Sequence, residues 1–272
     1  PYPDGRGEAE SSVRAPTLAR PCVTTGSRPA RPARRDPPPP RLRAMPRPAS
    51  HPPPGRPSEP HPSAGDVVAL YERTAAAWAA RRGATVALEG AWLARFAAEL
   101  PPGATVLDVG CGTGVPIAGA LLARGLRVTG VDAAPAMIAR ARRALPPGPG
   151  CAARWLVGDV RTLALGERFD GVLAWHSLFH LSPADQRRAF AVLAAHAAPG
   201  AALLFTSGAQ AGEAIGTWAG APLYHASLDP DEYRALLAAH GFGVLAHVAE
   251  DPACGGATVW LARRPPARRA DG

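Results

Sequence analysis

One stretch, Ala104 to Asp132, constrains the fold of this chain more than any other part of it. The apolar run from Val106 to Val109 predicts a short buried strand, a helical run follows to about Arg124, and a second strand ends at Asp132. The loop after the first strand has glycines at alternate positions: Gly110, Gly112 and Gly114. This order of elements predicts a βαβ unit with a binding loop at its first turn.

The loop and the second strand together indicate the kind of ligand. Glycines let the backbone turn sharply and approach a ligand closely, and the helix that follows offers unpaired N–H groups. Asp132, at the carboxyl end of the second strand, stands where an open α/β sheet binds a ribose diol. These features predict a cofactor that contains a nucleoside.

The spacing of the loop distinguishes between cofactors. A dinucleotide-binding loop has the pattern G-x-G-x-x-G, because a pyrophosphate must sit at the helix N-terminus. This chain has G-x-G-x-G, and Asp108 stands two residues before the first glycine. A carboxylate there would repel a phosphate, whereas it would attract a cationic amino-acid group. An NAD-dependent Rossmann dehydrogenase remains an alternative, although it leaves both features unexplained.

The sequence Leu-Asp-Val-Gly-Cys-Gly-Thr-Gly at 107–114 resembles motif I of the class I S-adenosylmethionine (SAM)-dependent methyltransferases. The resemblance includes Gly-Asp-Val at 158–160 and Phe-Asp-Gly-Val-Leu-Ala-Trp at 169–175, and it covers roughly residues 66–264. It implies an α/β fold: a Rossmann-like, doubly wound, mostly parallel seven-stranded sheet with an antiparallel last strand, and N-terminal helices that cover the cofactor site.

SAM is the cofactor that this resemblance implies. In the family, residues at these places bind the ribose (here Asp132), the methionyl end (Asp108) and the adenine amino group (Asp159). The predicted cofactor-binding residues are Asp108, Gly110, Cys111, Gly112, Gly114, Asp132, Ala133, Met137, Asp159, Val160, Trp175 and Tyr71. No metal site is predicted, since the cysteines lie far apart and none forms a C-x-x-C pair.

Two histidines after the fourth predicted strand are the catalytic candidates. The family places the transferable methyl group beside this segment, which contains His176 and His180. A histidine with an unperturbed pKa of about 6.5 suits proton removal near neutrality, so His176 is the first candidate for a general base. His180 is the second, although an apolar run around a histidine at this place is also typical of a structural role.

The remaining elements follow from periodicity and turn residues. A first helix is predicted from Asp66, its N-cap, to Gly83, with Tyr71 and Trp78 placed either in the substrate pocket or in ordinary core. The connection from Gly208 to Leu228 is long and rich in glycine, which favours a loop that acts as a substrate lid. Further helices are predicted at 88–100, 136–145, 184–198 and 231–240, and further strands at 153–157, 169–175, 201–206, 244–249 and 257–262.

The positive charge of the chain is confined to its ends. Residues 1–65 carry 11 Arg against 5 acidic residues, the segment from 263 carries 4 against 1, and the part between them carries 15 against 16. This balance gives no support for nucleic-acid binding, and no Asn/Asp-Pro-Pro-Tyr-like run follows the fourth strand. By elimination, the predicted partner is a small-molecule acceptor that is methylated on oxygen or nitrogen.

Residues 1–65 hold 18 of the 32 prolines and are predicted to be disordered or partly polyproline II. Three interpretations remain open: a transit peptide, a basic tether, and upstream translation that is not native. The last is favoured because the first methionine is Met45. Residues 66–264 are predicted to form the methyltransferase domain, and 265–272 a basic disordered tail.

The sequence also leads to expectations about where the protein acts and whether it is an enzyme. No run of 18 apolar residues and no signal-peptide pattern occurs, which predicts a cytoplasmic protein without a membrane partner. An alternative to an enzyme is a SAM-binding regulatory or scaffold protein that has no transferase activity and acts through its proline-rich arm.

Overall fold

The computed structural model describes residues 61–83, 85–148 and 151–267. The predictions for residues 1–60 and 268–272 lie outside this part of the chain, and the proposed domain boundaries stay a prediction. The helices are α1 (Val67–Arg82), α2 (Gly90–Ala98), α3 (Ile117–Leu122), α4 (Pro135–Ala144), α5 (Pro183–His196) and α6 (Pro230–Ala239). The strands are β1 (Thr105–Val109), β2 (Arg127–Asp132), β3 (Ala153–Val157), β4 (Phe169–Ala174), β5 (Ala197–Ser207), β6 (Gly212–Trp218), β7 (Ala221–Ser227), β8 (Gly243–Asp251) and β9 (Ala257–Arg263).

Seven of these strands form one sheet in the order β3-β2-β1-β4-β5-β9-β8. The first five are parallel to their neighbours, and β9 runs antiparallel to both β5 and β8. This arrangement confirms the predicted doubly wound sheet with an antiparallel last strand. The strand order reverses beside β1, so the carboxyl ends of β1 and β4 flank the crevice in which such sheets bind ligands.

The core lies on both faces of the sheet. Successive residues of a strand point to opposite faces, and Val106 and Leu107 accordingly belong to different apolar clusters. One face is covered by α5 and α6, which contribute Phe190 and Tyr233 to one cluster. The other is covered by α2, α3 and α4. The central strands are therefore apolar on both faces, as is typical of parallel sheets.

Of the two N-terminal helices, only α1 lies at the ligand crevice. The α2 side chains Trp92 and Phe96 are buried in the sheet core instead. Asp66 precedes α1 but its side chain accepts no backbone N–H, so the prediction that it caps the helix was wrong. The helix ends at Gly83 as predicted, where a φ of +70° suits glycine.

The segment 208–228 is not an irregular loop, and in this respect the prediction was wrong. It forms an antiparallel hairpin of β6 and β7, separate from the main sheet. Leu223 and Tyr224 of β7 are buried together with Val67 and Leu70 of α1. The hairpin is therefore held against α1 by an apolar cluster of its own.

Trp155 of β3 allows a test of the packing beneath the glycine loop. A Cβ added at Gly130 of β2 would lie 2.3 Å from Cζ3 of Trp155 and 2.9 Å from Sγ of Cys111. Because the Trp155 ring is buried and its Nε1 donates to the carbonyl oxygen of Leu145 at 2.9 Å, we expect Gly130→Ala to lower the free energy of unfolding by about 2 to 3 kcal/mol.

The matched control for this change is Gly119→Ala in α3, where an added Cβ would meet nothing closer than 3.8 Å. Alanine is favoured over glycine in a helix, so this variant should be neutral or slightly stabilising. Urea denaturation of both variants makes the comparison. Equal stabilities would contradict the packing described here.

Candidate functional site

One cavity opens at the carboxyl ends of β1 to β4, under α1. Every site residue predicted from the sequence lines it, with the exception of Gly114. Gly114 has a φ of +73°, and a Cβ there would lie 2.7 Å from Cη2 of Trp155. This glycine is therefore required where the loop packs on β3, and it does not open ligand space as the sequence analysis supposed.

The glycine loop also packs closely against the segment that follows β4. Gly110 has a φ of +73°, and a Cβ there would lie 2.3 Å from Cβ of Ser177. The Ser177 hydroxyl donates to the carbonyl oxygen of Val109 at 2.8 Å, and the Gly110 N–H donates to Val131. The ends of β1, β2 and β4 are thus fixed relative to one another at the floor of the cavity.

Asp132 is held by backbone N–H groups from both sides of the cavity floor. Its Oδ2 accepts the N–H of Gly112 and its Oδ1 accepts that of Ala134, each at 2.9 Å. Burial raises the pKa of this carboxyl, whereas the two N–H groups act to lower it, and the net shift is upward. A carboxylate oxygen has more than one acceptor site, so both oxygens can also accept from a ligand.

Among the described residues that line the cavity, Asp108 and Trp175 each have a buried side-chain atom without a hydrogen-bond partner, Oδ2 and Nε1 respectively. The side chain of Asp108 is buried. Burial, and then the charge of Asp132, raise the pKa of Asp108 to about 7. An orphaned buried carboxylate oxygen is costly, which indicates that a ligand supplies a cationic or donor group here.

Asp159 follows β3 and is paired with a residue that the sequence analysis did not identify. Both of its oxygens accept from Nε of Arg161 at 3.0 Å. Partial burial raises the pKa of Asp159, but the hydrogen bonds and charge of Arg161 outweigh that effect, so the pKa is below its usual value. Asp159 is therefore ionised at neutral pH. Apolar Met137 and Val160 line the same end of the cavity.

His180 connects α1 to the hairpin. Its Nδ1 lies 2.9 Å from the carbonyl oxygen of Tyr224, which can only accept, so Nδ1 carries the proton. The Tyr71 hydroxyl then donates to Nε2 at 3.0 Å. Burial, and then the charge of His225, lower the pKa of His180 to about 3. Both ring nitrogens are engaged, which favours the structural interpretation of His180 over the catalytic one.

A double-mutant cycle tests the contact between Tyr71 and His180. We expect Tyr71→Phe and His180→Leu each to lower the free energy of unfolding by about 1 to 2 kcal/mol, because each leaves one polar group of the pair without its partner. The double variant should cost less than the sum of the two, with a coupling of about 1 kcal/mol. Additive losses in urea denaturation would show that the hydrogen bond contributes nothing.

His176 presents a different environment. Its φ of +51° is unusual for a residue other than glycine, and its N–H donates to Oγ1 of Thr206 at 2.9 Å. Nδ1 lies 3.4 Å from the same oxygen, while Nε2 makes no hydrogen bond to another described residue. Burial, and then the charge of Arg82, lower its pKa to about 4, below the value of about 6.5 expected from the sequence. His176 is neutral at pH 7, so one of its ring nitrogens carries a proton and the other a lone pair.

Arg82 is a second cavity residue that the sequence analysis missed. It stands four residues after Trp78 on α1, and that spacing places both side chains on one face of the helix. Its Nη2 donates to Glu89 Oε1 at 2.5 Å. The helical spacing could have identified this residue, but its partner lies beyond the end of the helix.

Two kinds of feature are absent from the described residues. No helix within 61–83, 85–148 and 151–267 is long and apolar enough to cross a membrane. In the same ranges, no group of three or more His, Cys, Asp or Glu residues could hold a metal ion.

Comparison with known proteins identifies similar domains. Residues 106–200 match the family model of a methyltransferase domain. A magnesium-protoporphyrin O-methyltransferase of Rhodobacter capsulatus is 40% identical over 83 residues, which make up 30% of this chain and 36% of that enzyme. The match thus spans about a third of the curated relative.

Solved structures share the fold over most of their length. CalS10, an amino pentose methyltransferase from Micromonospora echinaspora solved with SAM, is 28% identical with a TM-score of 0.55, over 72% of this chain and 96% of its own. The glycopeptide N-methyltransferase MtfA, solved with S-adenosylhomocysteine, is 21% identical with a TM-score of 0.53, over 68% and 93% respectively. At this identity, the second likeness concerns the fold alone.

Proposed function

We propose that this chain, which has the fold of the class I SAM-dependent methyltransferases, transfers the methyl group of SAM to an oxygen or nitrogen of a small-molecule acceptor. The observation that carries the proposal is a row of three carboxylates in one cavity. Asp108, Asp132 and Asp159 stand at the ends of β1, β2 and β3, in the order of the sheet. Their surroundings differ in a way that suits the different parts of one elongated ligand.

The residues of the cavity fit SAM. The partnerless Oδ2 of Asp108 suits the cationic amino-acid end, and Asp132 suits a ribose diol because both its oxygens can accept a further hydrogen bond. Asp159 and the apolar Met137 and Val160 suit an adenine, which offers an amino group and a flat apolar face. A pyrophosphate would instead meet Asp108 and Asp132, which disfavours the NAD alternative.

The bound cofactor supplies a methyl group that is activated by a positively charged sulfur. The residues of this chain would then have to position the acceptor, exclude water and accept a proton where the acceptor carries one. His176 is the residue assigned to the proton, because it lines the cavity, its ring is neutral at pH 7 and its Nε2 makes no hydrogen bond to the described residues. This role requires the tautomer in which Nδ1 donates to Oγ1 of Thr206 and Nε2 keeps its lone pair. His180 is assigned a supporting role through its bonds to Tyr71 and Tyr224.

A small-molecule acceptor agrees with the charge of the folded region, which is close to neutral. Two of the similar proteins are named for small acceptors, an amino pentose and a protoporphyrin, whereas MtfA is named for a glycopeptide. No name transfers an acceptor to this chain.

A turnover assay tests the proposal. The full chain is incubated with SAM and a library of small hydroxyl and amine compounds, and S-adenosylhomocysteine is quantified by mass spectrometry. We expect acceptor-dependent product that is lost in Asp132→Ala. Binding of SAM without product from any acceptor would instead support the regulatory or scaffold alternative.

A further inference from the structure

We infer that Trp175 binds the carboxylate of the cofactor's amino-acid end through its Nε1–H, and that with Asp108 and Arg82 it forms the site for that zwitterionic group. This inference rests on the proposed function and assigns residues to one end of the same cavity. It is carried by two buried polar atoms that lack partners, by the strand register that places them together, and by a cation beside them.

Two buried atoms of opposite hydrogen-bonding type are unpaired in this cavity. Asp108 is 2% exposed and Trp175 is 6% exposed, and neither Oδ2 of the first nor Nε1 of the second has a partner among the described residues. An ionised carboxylate can only accept a hydrogen bond, and an indole nitrogen can only donate one. Because unpaired buried polar atoms are costly, this pair indicates a ligand that brings both a donor and an acceptor.

The register of the sheet places these two side chains next to each other. Asp108 of β1 lies beside Leu173 of β4 in the parallel register, so both side chains point to the same face of the sheet. Trp175 comes two residues after Leu173 and belongs with it to one apolar cluster, so it points to that face as well. Asp108 and Trp175 both line the cavity, yet they make no hydrogen bond to each other. The acceptor and the donor are therefore available to two neighbouring groups of one ligand.

The order of the strands indicates which part of the cofactor lies here. Asp132 and Asp159 stand at the ends of β2 and β3, so the ribose and adenine sites lie on one side of β1, and Trp175 follows β4 on the other side. The amino-acid end of the cofactor carries an ammonium and a carboxylate on one carbon atom. The ammonium suits Oδ2 of Asp108, and the carboxylate then needs a donor beside it, which Trp175 offers.

Arg82 supplies a positive charge at the same end of the cavity. Burial, and then the charge of Arg82, lower the pKa of His176, the residue that follows Trp175 in the chain. A guanidinium has five N–H donors, and within the described part of the chain Arg82 uses Nη2 on Glu89. The second guanidinium in the described lining, that of Arg161, is bound to Asp159 instead. Arg82 is therefore the cation that can offset the repulsion of a carboxylate by Asp108.

Calorimetry on the full chain at pH 8, above the pKa of about 7 of Asp108, tests the inference with three ligands. These are S-adenosylhomocysteine, its decarboxylated analogue S-adenosyl-3-thiopropylamine, and 5′-methylthioadenosine, which lacks the whole amino-acid end. We expect S-adenosylhomocysteine to bind at least tenfold more tightly than the decarboxylated analogue. Without a carboxylate site this preference would be absent or reversed, since Asp108 and Asp132 attract the net positive charge of the analogue.

A single substitution tests the indole nitrogen. Trp175→Phe removes the N–H and keeps an aromatic ring, and we expect it to weaken S-adenosylhomocysteine at least fivefold while both analogues bind as before. The matched control is Trp92→Phe, because Nε1 of Trp92 donates to Oδ2 of Asp251 at 2.8 Å and Trp92 does not line the cavity. This control should leave all three affinities unchanged.

The role of the cation is tested in the double variant Arg82→Gln/Glu89→Gln. Glu89 is buried, so changing both residues avoids leaving its carboxylate without a partner. We expect the preference for S-adenosylhomocysteine over the decarboxylated analogue to fall at least threefold. The control Arg81→Gln changes the neighbouring cation, which does not line the cavity, and should keep the preference. A full preference in the double variant would refute the role of Arg82.

The wild-type protein gives a readout that does not depend on the folding of any variant. Nuclear magnetic resonance resolves the indole N–H signals of the six tryptophans. Saturation with S-adenosylhomocysteine should move the Nε1–H signal of Trp175 downfield, because it gains a charged acceptor, whereas the decarboxylated analogue should not move it downfield.

The outcomes distinguish the inference from the function on which it rests. If S-adenosylhomocysteine does not bind, the proposed function fails. If it binds no more tightly than the decarboxylated analogue, or if Trp175→Phe weakens all three ligands equally or none of them, the inference is overturned while the proposed function stands.

Discussion

Asp108→Asn should stabilise the protein in the absence of cofactor above pH 7 and yet weaken its binding of SAM. The folded-state pKa of Asp108 is about 7, above the ordinary value of 3.8, so the folded protein holds a proton that the unfolded chain has lost. The stability of the wild-type protein therefore falls as the pH rises from about 4 to about 7, by roughly 2 to 4 kcal/mol. Asparagine does not ionise, so the variant should not show this fall.

Urea denaturation between pH 4 and 8 measures the difference. The two proteins should be close in stability at the acidic end and diverge as the pH rises, with the variant more stable at pH 8. The affinity for SAM should show the opposite order, at least tenfold weaker in the variant at pH 8, because the ionised carboxylate attracts the cationic end of the cofactor. Parallel stability profiles would mean that Asp108 ionises normally in the folded protein.

Asp132→Ala should weaken SAM binding by at least about tenfold. Hydrogen bonds to a charged group contribute about 1.5 to 3 kcal/mol each, and a ribose diol would donate two of them to this carboxylate. The variant also leaves the N–H groups of Gly112 and Ala134 without their acceptor, so the glycine loop loses one of its hydrogen bonds to β2 and keeps those from Gly110 and Cys111 to Val131. A lower melting temperature is therefore expected as well.

The control is Asp170→Ala. This carboxylate accepts hydrogen bonds from the N–H and Oγ1 of Thr105 at 2.8 and 2.9 Å, at the amino ends of β1 and β4. Its loss should lower stability in a similar way without changing the affinity for SAM. If Asp132→Ala binds SAM as tightly as the wild-type protein, the ribose assignment is wrong.

Much of the site was predictable because it depends on short-range pattern. The positions of Asp108, Asp132 and Asp159 follow from where apolar strands end, and parallel strands place their carboxyl ends at one edge of the sheet. The doubly wound fold and the antiparallel last strand followed from the family resemblance. That resemblance rests on sequence motifs at the same strand ends. These predictions needed no information about packing between distant parts of the chain.

The features that were missed depend on contacts across the chain. The hairpin of β6 and β7 is rich in glycine and looks like a loop, and it is ordered because Leu223 and Tyr224 pack on α1. Gly114 belongs to a loop motif, yet its lack of a side chain is required by Trp155 of β3. Sequence spacing does not reveal such neighbours.

The chemistry of the titratable groups was also set by packing. His176 was expected to titrate near neutrality, but burial and the charge of Arg82 keep it neutral well below that pH. The structural interpretation of His180 is favoured by the carbonyl of Tyr224, which is distant in sequence and lies at its Nδ1. Residue type and spacing identified both histidines, whereas their protonation follows from three-dimensional neighbours.

Isothermal titration of the full chain with SAM, S-adenosylhomocysteine and NAD tests the central claim most directly. The arrangement of the three carboxylates predicts that the first two ligands bind with micromolar affinity and that NAD does not. Binding of NAD would contradict the assignment of this cavity as a SAM site. The absence of a binding signal with SAM, when the protein is shown to be folded, would contradict it as well.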